Sequence, residues 1–321
     1  MSKPFIDVAA GLILKPDGAL LLGQRPADKP WPGWWELPGG KIEAGETVLQ
    51  ALARELKEEL DIEVTHATPW VTYVHEYPKN IVRLAFCKVT GWNGNPTGLE
   101  GQNLAWVDPQ APIAVGPLLP ATEPPLRWLK LPSQYLVTSI QHPENLEPYL
   151  AKLKKAINRG VRLVQFREPE WAASGHAGSL HQAFEHVLAV CRATGAQCLL
   201  NSVHPQAWWA QADGVHLRAQ DMLSFKRDVF PEQYLCGVSV HNQAELEQAK
   251  QLDADFVVLG HVCPTPSHPL ESAMGWAEFA ELAGQAGRPV FAIGGQSAQT
   301  MAIAQEHGAH GIAAIRGLLP E

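Results

Sequence analysis

The chain has 321 residues, 46% of them hydrophobic and 18% charged, with a formal net charge of −8. This is globular composition at a length that suits about two domains, which argues against disorder. The negative balance argues equally against a grip on nucleic acid polymers, which rests on Lys and Arg neutralising phosphates. Five cysteines, scattered and never in a C-x-x-C arrangement, point away from a disulfide framework and a zinc site and fit a reducing cytoplasm. The opening stretch MSKPFIDVAAGLIL, with an Asp inside its short apolar run, reads as a strand rather than a signal peptide. No apolar run approaches the ~20 residues that span a bilayer, so no membrane partner is expected.

In chain order, strand-like runs at residues 5–14, 19–24, 70–75 and 82–89 surround one strong helical segment at 47–60. At about 3.6 residues per turn, Leu49, Leu52, Leu56 and Leu60 make an apolar stripe, and Glu55, Glu58 and Glu59 fall on the neighbouring arc at i, i+3 and i+4. Like charges at those spacings destabilise a helix by a few tenths of a kcal/mol per pair, and Lys57 points to the far side. A solvated acidic face is the plain account of such a run. A hard divalent cation, which prefers carboxylate oxygens and bridges to phosphates, is the functional one. Upstream, LPGGKIEAGE supplies a Pro-Gly-Gly turn where backbone can approach a ligand, and Glu46 near the positive end of the helix.

Gly40, Glu46, Arg54, Glu55, Leu56, Glu58, Glu59 and Ile62 together resemble the Nudix hydrolase signature; Asp61 stands where that family has Gly. The approach GQRPADKPWPGWWELPGGK and the later loop GLEGQ resemble the MutT branch, which converts oxidised guanine nucleoside triphosphates to monophosphate and pyrophosphate. The resemblance implies an α/β/α sandwich. It also implies Mg²⁺, with Mn²⁺ as an alternative, held by Glu55, Glu58, Glu59, Glu100 and the Gly39 carbonyl, and Arg54 orienting the glutamates. Glu58, Glu59 and Glu100 are all candidates for the general base. Arg25, Leu37, Asn80 and Thr122 align with positions near the nucleotide. Leu37 replaces a Phe, Asn80 an Arg, and Thr122 an Asn that reads the oxidised purine; a Thr hydroxyl cannot supply an amide's paired donor and acceptor. Trp31, Trp34 and Trp35 either stack a base or pack over the core.

Closely spaced prolines at 106–132 forbid long helices and central strands, placing a boundary near residue 131 between a first domain, 1–131, and a second, 134–321. Beyond it, YLVTS, RLVQF, CLLNS, GVHL, CGVSV, FVVLG, PVFAIG and GIAAI are eight apolar runs separated by helix-length segments. This is the pattern of a (β/α)₈ barrel, with an open doubly wound sheet as the alternative. RLVQFREPE, CLLNS, ADGVHL, CGVSVH and FAIGG resemble, in order, motifs of thiamine phosphate synthase and its TenI-type relatives. Ligands in such barrels sit at the C-terminal strand ends, where Gln165, Arg167, Asn201, His216, Ser239, Gly294 and Gly295 fall. The glycine pair could receive a phosphate on its backbone N–H groups.

Departures accompany this second resemblance. Pro169 and His268 stand where the synthase has lysines, Ser202 replaces a magnesium-ligating Asp, and Arg218 and Ala219 interrupt a Gly-Gln pair, while Asp221 keeps a later carboxylate. GHV at residues 260–262 resembles the TenI-type tautomerase loop, where His261 would handle a proton. The expectation is a hydrolase of small-molecule nucleotides joined to a barrel for a thiamine-precursor phosphate, catalytic or purely sensing. The alternative puts both halves in one pathway, with the hydrolase acting on thiamine-pathway diphosphates.

Overall fold

The computed structural model describes residues 3–174, 177–231, 233–265 and 272–320. The chain separates into two compact units, Met1–Leu131 and Pro132–Glu321.

The first unit contains β1 (Phe5–Ile13), β2 (Leu20–Gln24), β3 (Trp35–Glu36), β4 (Gly39–Lys41), α1 (Val48–Leu60), β5 (Glu63–Glu76), β6 (Ile81–Asn93), β7 (Leu104–Val107) and α2 (Glu123–Trp128). Four strands form one sheet in the order β4-β1-β6-β5, and three form another, β3-β2-β7. Alternation along β1 sends Ala9 and Ile13 to one face, against Leu52, Leu56 and Leu60 of α1. Ala10 and Leu12 go to the other, in a cluster with Leu126 and Trp128 of α2. The result is an α/β/α sandwich. β5 and β6 are far longer than the apolar runs that marked them, because their antiparallel pairing continues through polar residues at both ends. β3, β4 and β7 are too short to show a period in the sequence.

Thr47 begins α1 with a capping box: its hydroxyl accepts from Gln50 N–H, and the Gln50 side chain accepts from Thr47 N–H at 2.9 Å. Ala51, Leu52, Leu56 and Leu60 are its buried apolar residues, whereas Leu49, expected in that stripe, is 40% exposed. The face that meets the sheet is rotated so that Leu49 lies at its rim. Asp61 ends the helix at φ 56°, ψ 34°, its N–H bonded to the Lys57 carbonyl. Thus Asp adopts the left-handed conformation for which Gly is the usual residue.

The second unit closes β8 (Gln134–Val137), β9 (Leu163–Phe166), β10 (Gln197–Asn201), β11 (Gly214–Leu217), β12 (Leu235–Val240), β13 (Phe256–Gly260), β14 (Val290–Ile293) and β15 (Gly311–Ala314) into a barrel whose neighbouring strands are all parallel. Each of the eight apolar runs supplies one strand, so the barrel prevails over the open sheet. Outside it lie α3 (Leu146–Asn158), α4 (Pro169–Ala173), α5 (Ala177–Ala193), α6 (Gln243–Gln251), α7 (Gly275–Gln285) and α8 (Met301–Glu306). The connections β10–β11 and β11–β12 carry only 3₁₀ turns among their described residues, at Gln206–Gln211, Ala219–Ser224 and Arg227–Val229. Pro205 and Pro231 interrupt these segments and work against a continuous helix. Among the described residues no helix is long and apolar enough to cross a membrane.

Candidate functional site

The three glutamates of α1 share a helix but not an environment. The side chains of Glu55 and Glu59 are 16% exposed, that of Glu58 61%. Glu55 and Glu59 therefore belong with the inward face beside Leu52 and Leu56, not with a separate acidic arc. Glycine makes room for them. A Cβ on Gly40 would overlap the Glu55 carboxylate, and one on Gly39, at φ 142°, would overlap the Ala9 carbonyl oxygen. Gly39 donates its N–H to Glu59 Oε2 at 3.1 Å.

Arg54 ties Glu46, Glu55 and Glu58 together. Its Nε and Nη2 clasp Glu46 Oε1 and Oε2 at 2.8 and 2.9 Å, and Nη1 donates to Glu55 Oε1 at 2.9 Å and Glu58 Oε2 at 3.3 Å. Nη2 also reaches the Lys41 carbonyl at 3.0 Å. Glu46 thus commits its carboxylate to Arg54 and the Glu43 N–H rather than to the helix terminus, and the Arg54 bonds hold its pKa down at about 2. The same bonds push the Arg54 pKa further up.

Glu59 faces a cleft whose lining includes Arg25, Lys29, Glu36, Glu100 and Gln102. Lys29 Nζ donates to Glu100 Oε2 and stands 3.5 Å from Glu59 Oε1. Arg25 Nη1 meets both oxygens of Glu36, at 2.6 and 2.5 Å. Gln102 ties the 98–102 loop to the end of α1: its side chain donates to the Glu59 carbonyl at 2.9 Å and accepts from Glu100 N–H at 2.8 Å. Burial raises the Glu59 pKa to about 7, and it raises that of Glu36 even against the Arg25 charge.

The oxygens of Glu55, Glu58, Glu59 and Glu100, with the Gly39 backbone, are the hard donors a divalent cation takes. The glycine cradle and a buried carboxylate of raised pKa fit such an ion. Among the described residues, however, no three acidic, His or Cys side chains are gathered into a metal-holding group. Arg54 holds Glu46, Glu55 and Glu58, while Lys29 holds Glu59 and Glu100.

The expected base-reading residues do not converge. Leu37 is 6% exposed within the apolar core, because the alternation Trp35-in, Glu36-out, Leu37-in turns it from solvent; it offers no open face to a base. Thr122 is 4% exposed at the end of a 3₁₀ turn, and Asn80 sits in the β5–β6 turn with its carbonyl accepting from Tyr77 N–H at 2.8 Å. Of the four, only Arg25 lines the cleft. The three tryptophans divide: Trp35 packs in the core, while Trp31 is 39% exposed and meets Trp34 edge-on at 4.9 Å. Sequence reasoning missed Lys29 and Glu36; the same alternation could have shown Glu36 facing away from Trp35 and Leu37.

In the barrel, Asn201 donates to Gln165 (2.7 Å), Gln165 donates to the Tyr135 hydroxyl (3.1 Å), Tyr135 meets His216 Nδ1 (3.2 Å), and His216 Nε2 meets Ser239 Oγ (2.9 Å). Gln165, Asn201 and His216 are at most 3% exposed. Their polar groups are therefore occupied with one another inside the barrel rather than open at its mouth. Burial, then the Arg167 charge, pushes the His216 pKa down to about 3, so its ring is neutral near pH 7. His261 lies against Gly294, where an added Cβ would overlap it, and Cys263 N–H bonds the Gly294 carbonyl at 3.3 Å. Gly295 packs on Cys263 in the same way. The glycine pair leads into a 3₁₀ turn and the six-residue α8, not a long helix. His268 lies outside the described residues.

Asp221 accepts from Arg218 Nε at 2.6 Å and Nη2 at 3.1 Å, and from Ser202 Oγ at 2.5 Å. Both its oxygens are taken and a neutral hydroxyl fills the place of the second acid, so the magnesium site implied by the synthase resemblance does not fit these residues. Glu168 is fully buried and accepts from the Ile140 and Gln141 N–H groups.

A family model described as NUDIX domain matches residues 4–129, and one described as thiamine monophosphate synthase matches residues 134–318. Over 111 residues the chain is 42% identical to an 8-oxo-dGTP diphosphatase of Haemophilus influenzae, covering 35% of this chain and 82% of that protein. It is 40% identical over 119 residues to a CTP pyrophosphohydrolase of Escherichia coli, covering 37% and 87%. In the other half it is 36% identical over 172 residues to a thiamine-phosphate synthase of Anoxybacillus flavithermus, covering 53% and 78%.

Proposed function

We propose, from the fact that the chain belongs to the NUDIX family and to the thiamine monophosphate synthase family, that its first unit is a diphosphatase converting 8-oxo-dGTP to 8-oxo-dGMP and pyrophosphate. Such an activity would clear an oxidised precursor from the nucleotide pool before DNA synthesis. One observation carries the reading: Arg54 clasps Glu46, Glu55 and Glu58 while Gly39 N–H holds Glu59, an acidic array kept in register by a cation and a glycine strand. Glu55, Glu58, Glu59, Glu100 and the Gly39 carbonyl would hold Mg²⁺, or Mn²⁺ in its place. When bound, the ion supplies neutralisation of phosphate oxygens and an acidified water.

The chain's own residues do the rest. Arg54 fixes the carboxylate rotamers through charge-assisted bonds, which lowers the reorganisation needed at reaction. Glu58, Glu59 and Glu100 each present an oxygen able to take the proton of the attacking water. A second reading, a pyrimidine triphosphate as substrate, draws support from buried Leu37 and from Thr122 in place of a purine-reading amide. The E. coli relative that acts on CTP is of nearly the same identity.

For the barrel, the same premise gives a thiamine-precursor phosphate as ligand, with Arg167, Ser239, His261, Gly294 and Gly295 nearest the strand ends. Arg218 already neutralises Asp221, which favours binding, or proton transfer by His261, over a metal-assisted diphosphate displacement. The test is hydrolysis by the full-length protein with Mg²⁺, comparing 8-oxo-dGTP, dGTP, CTP and hydroxymethylpyrimidine diphosphate with products resolved. Preference for 8-oxo-dGTP with pyrophosphate release is expected. Preference for CTP would move the function to the second reading, and preference for the pyrimidine diphosphate would join both units in thiamine metabolism.

A further inference from the structure

We infer that Lys29 is a tethered counter-cation of the hydrolase cleft, paired with Glu59 and Glu100 while no metal is bound and exchanged for the divalent ion when one arrives. The inference rests on the reading that Glu59 and Glu100 serve metal binding. Lys29 Nζ joins two acids from separate elements, Glu59 on α1 and Glu100 on the 98–102 loop. The nearby alternative, Arg25, is committed to both oxygens of Glu36. Lys29 therefore offsets the repulsion between Glu59 and Glu100 across the cleft, and in doing so holds the loop carboxylate at the helix.

Occupancy by lysine and by metal is exclusive. An ammonium and a divalent cation sharing one carboxylate pair would repel at short range. Departure of the lysine requires little. The surrounding loop closes on itself through Arg25 N–H to the Trp34 carbonyl (2.8 Å), Gly33 N–H to the Arg25 carbonyl (2.9 Å) and the Gln24 side chain to the Gly33 carbonyl (2.9 Å). None of these bonds uses the Lys29 side chain, which is 34% exposed and can rotate into solvent on its flexible stem. Lys29 is thus a positioning residue that lowers apparent metal affinity in return for an ordered cleft of reduced negative charge at rest.

The experiment is Mn²⁺ binding to the full-length protein, read from the free-ion signal in electron paramagnetic resonance, for wild type, Lys29→Met, Lys29→Gln, Glu59→Gln and Glu100→Gln. Both Lys29 variants are expected to bind Mn²⁺ tighter, by about tenfold, the worth of a charge-assisted bond no longer in competition. A merely structural lysine would not move affinity in that direction. Unchanged or weaker binding in both Lys29 variants, with the Glu59 and Glu100 variants weakened, would overturn the exchange and leave the metal-site reading standing. Unchanged binding in Glu59→Gln and Glu100→Gln would overturn that reading itself, and the exchange with it.

Discussion

Glu58 and Glu59 are adjacent in the chain, yet α1 sends one toward solvent and the other into the cleft. Glu59→Gln keeps an acceptor for the Gly39 N–H while deleting the charge, so it should lower kcat by about 10²–10⁴ with the fold intact, the range for losing a positioned acid–base or electrostatic group. Glu58→Gln, at an exposed side chain with one 3.3 Å bond to Arg54, should cost less. Steady-state kinetics on both variants, with circular dichroism to confirm folding, checks the order; equal losses would mean exposure does not separate their roles. At this scale the glutamates were legible in the sequence because their spacing is local. Their partners Lys29 and Gln102 are brought near by chain folding that no local pattern encodes.

The helix that carries these acids ends on Asp61, and its stop is a conformational requirement rather than a contact. Asp61 holds φ 56°, and its ion pair with Lys57 joins two half-exposed side chains, which adds little. Asp61→Val, whose branched Cβ is poorly suited to the left-handed region, should lower unfolding free energy by about 1–2 kcal/mol, while Asp61→Gly should hold or raise it. Urea unfolding midpoints test this, and a Val variant as stable as wild type would refute it. The capping box at Thr47 and the αL stop at Asp61 were both foreseeable from residue type. The rotation of α1 about its axis was not: Leu49, expected in the buried stripe, is exposed and Ala51 is buried, because the sheet, not the helix, decides which face is covered.

For the molecule as a whole, the barrel interior sets a dependence on acid. Burial lowers the folded-state pKa of His216 to about 3 and of His204 to about 4, from an ordinary value of 6.5. Between those values and 6.5 the unfolded chain binds more protons than the folded one, so stability falls as pH drops through that window. Glu168 works the other way: burial raises its pKa, so its contribution is present at low pH and lost as pH rises. Denaturant unfolding of the full chain at pH 7 and pH 5 should show the loss, and His216→Gln should shrink it; an unchanged pH dependence in that variant would remove His216 as the cause.

Sequence by itself determined the two-unit division, the eight barrel strands and the acidic helix. These are written in periods and spacings along one stretch of chain. Only the tertiary structure decided that Lys29 closes on Glu59 and Glu100, and that Ser202 joins Arg218 at Asp221. Each is a meeting of residues whose approach depends on how strands and loops pack, and the same residue types placed elsewhere would carry the same local signal.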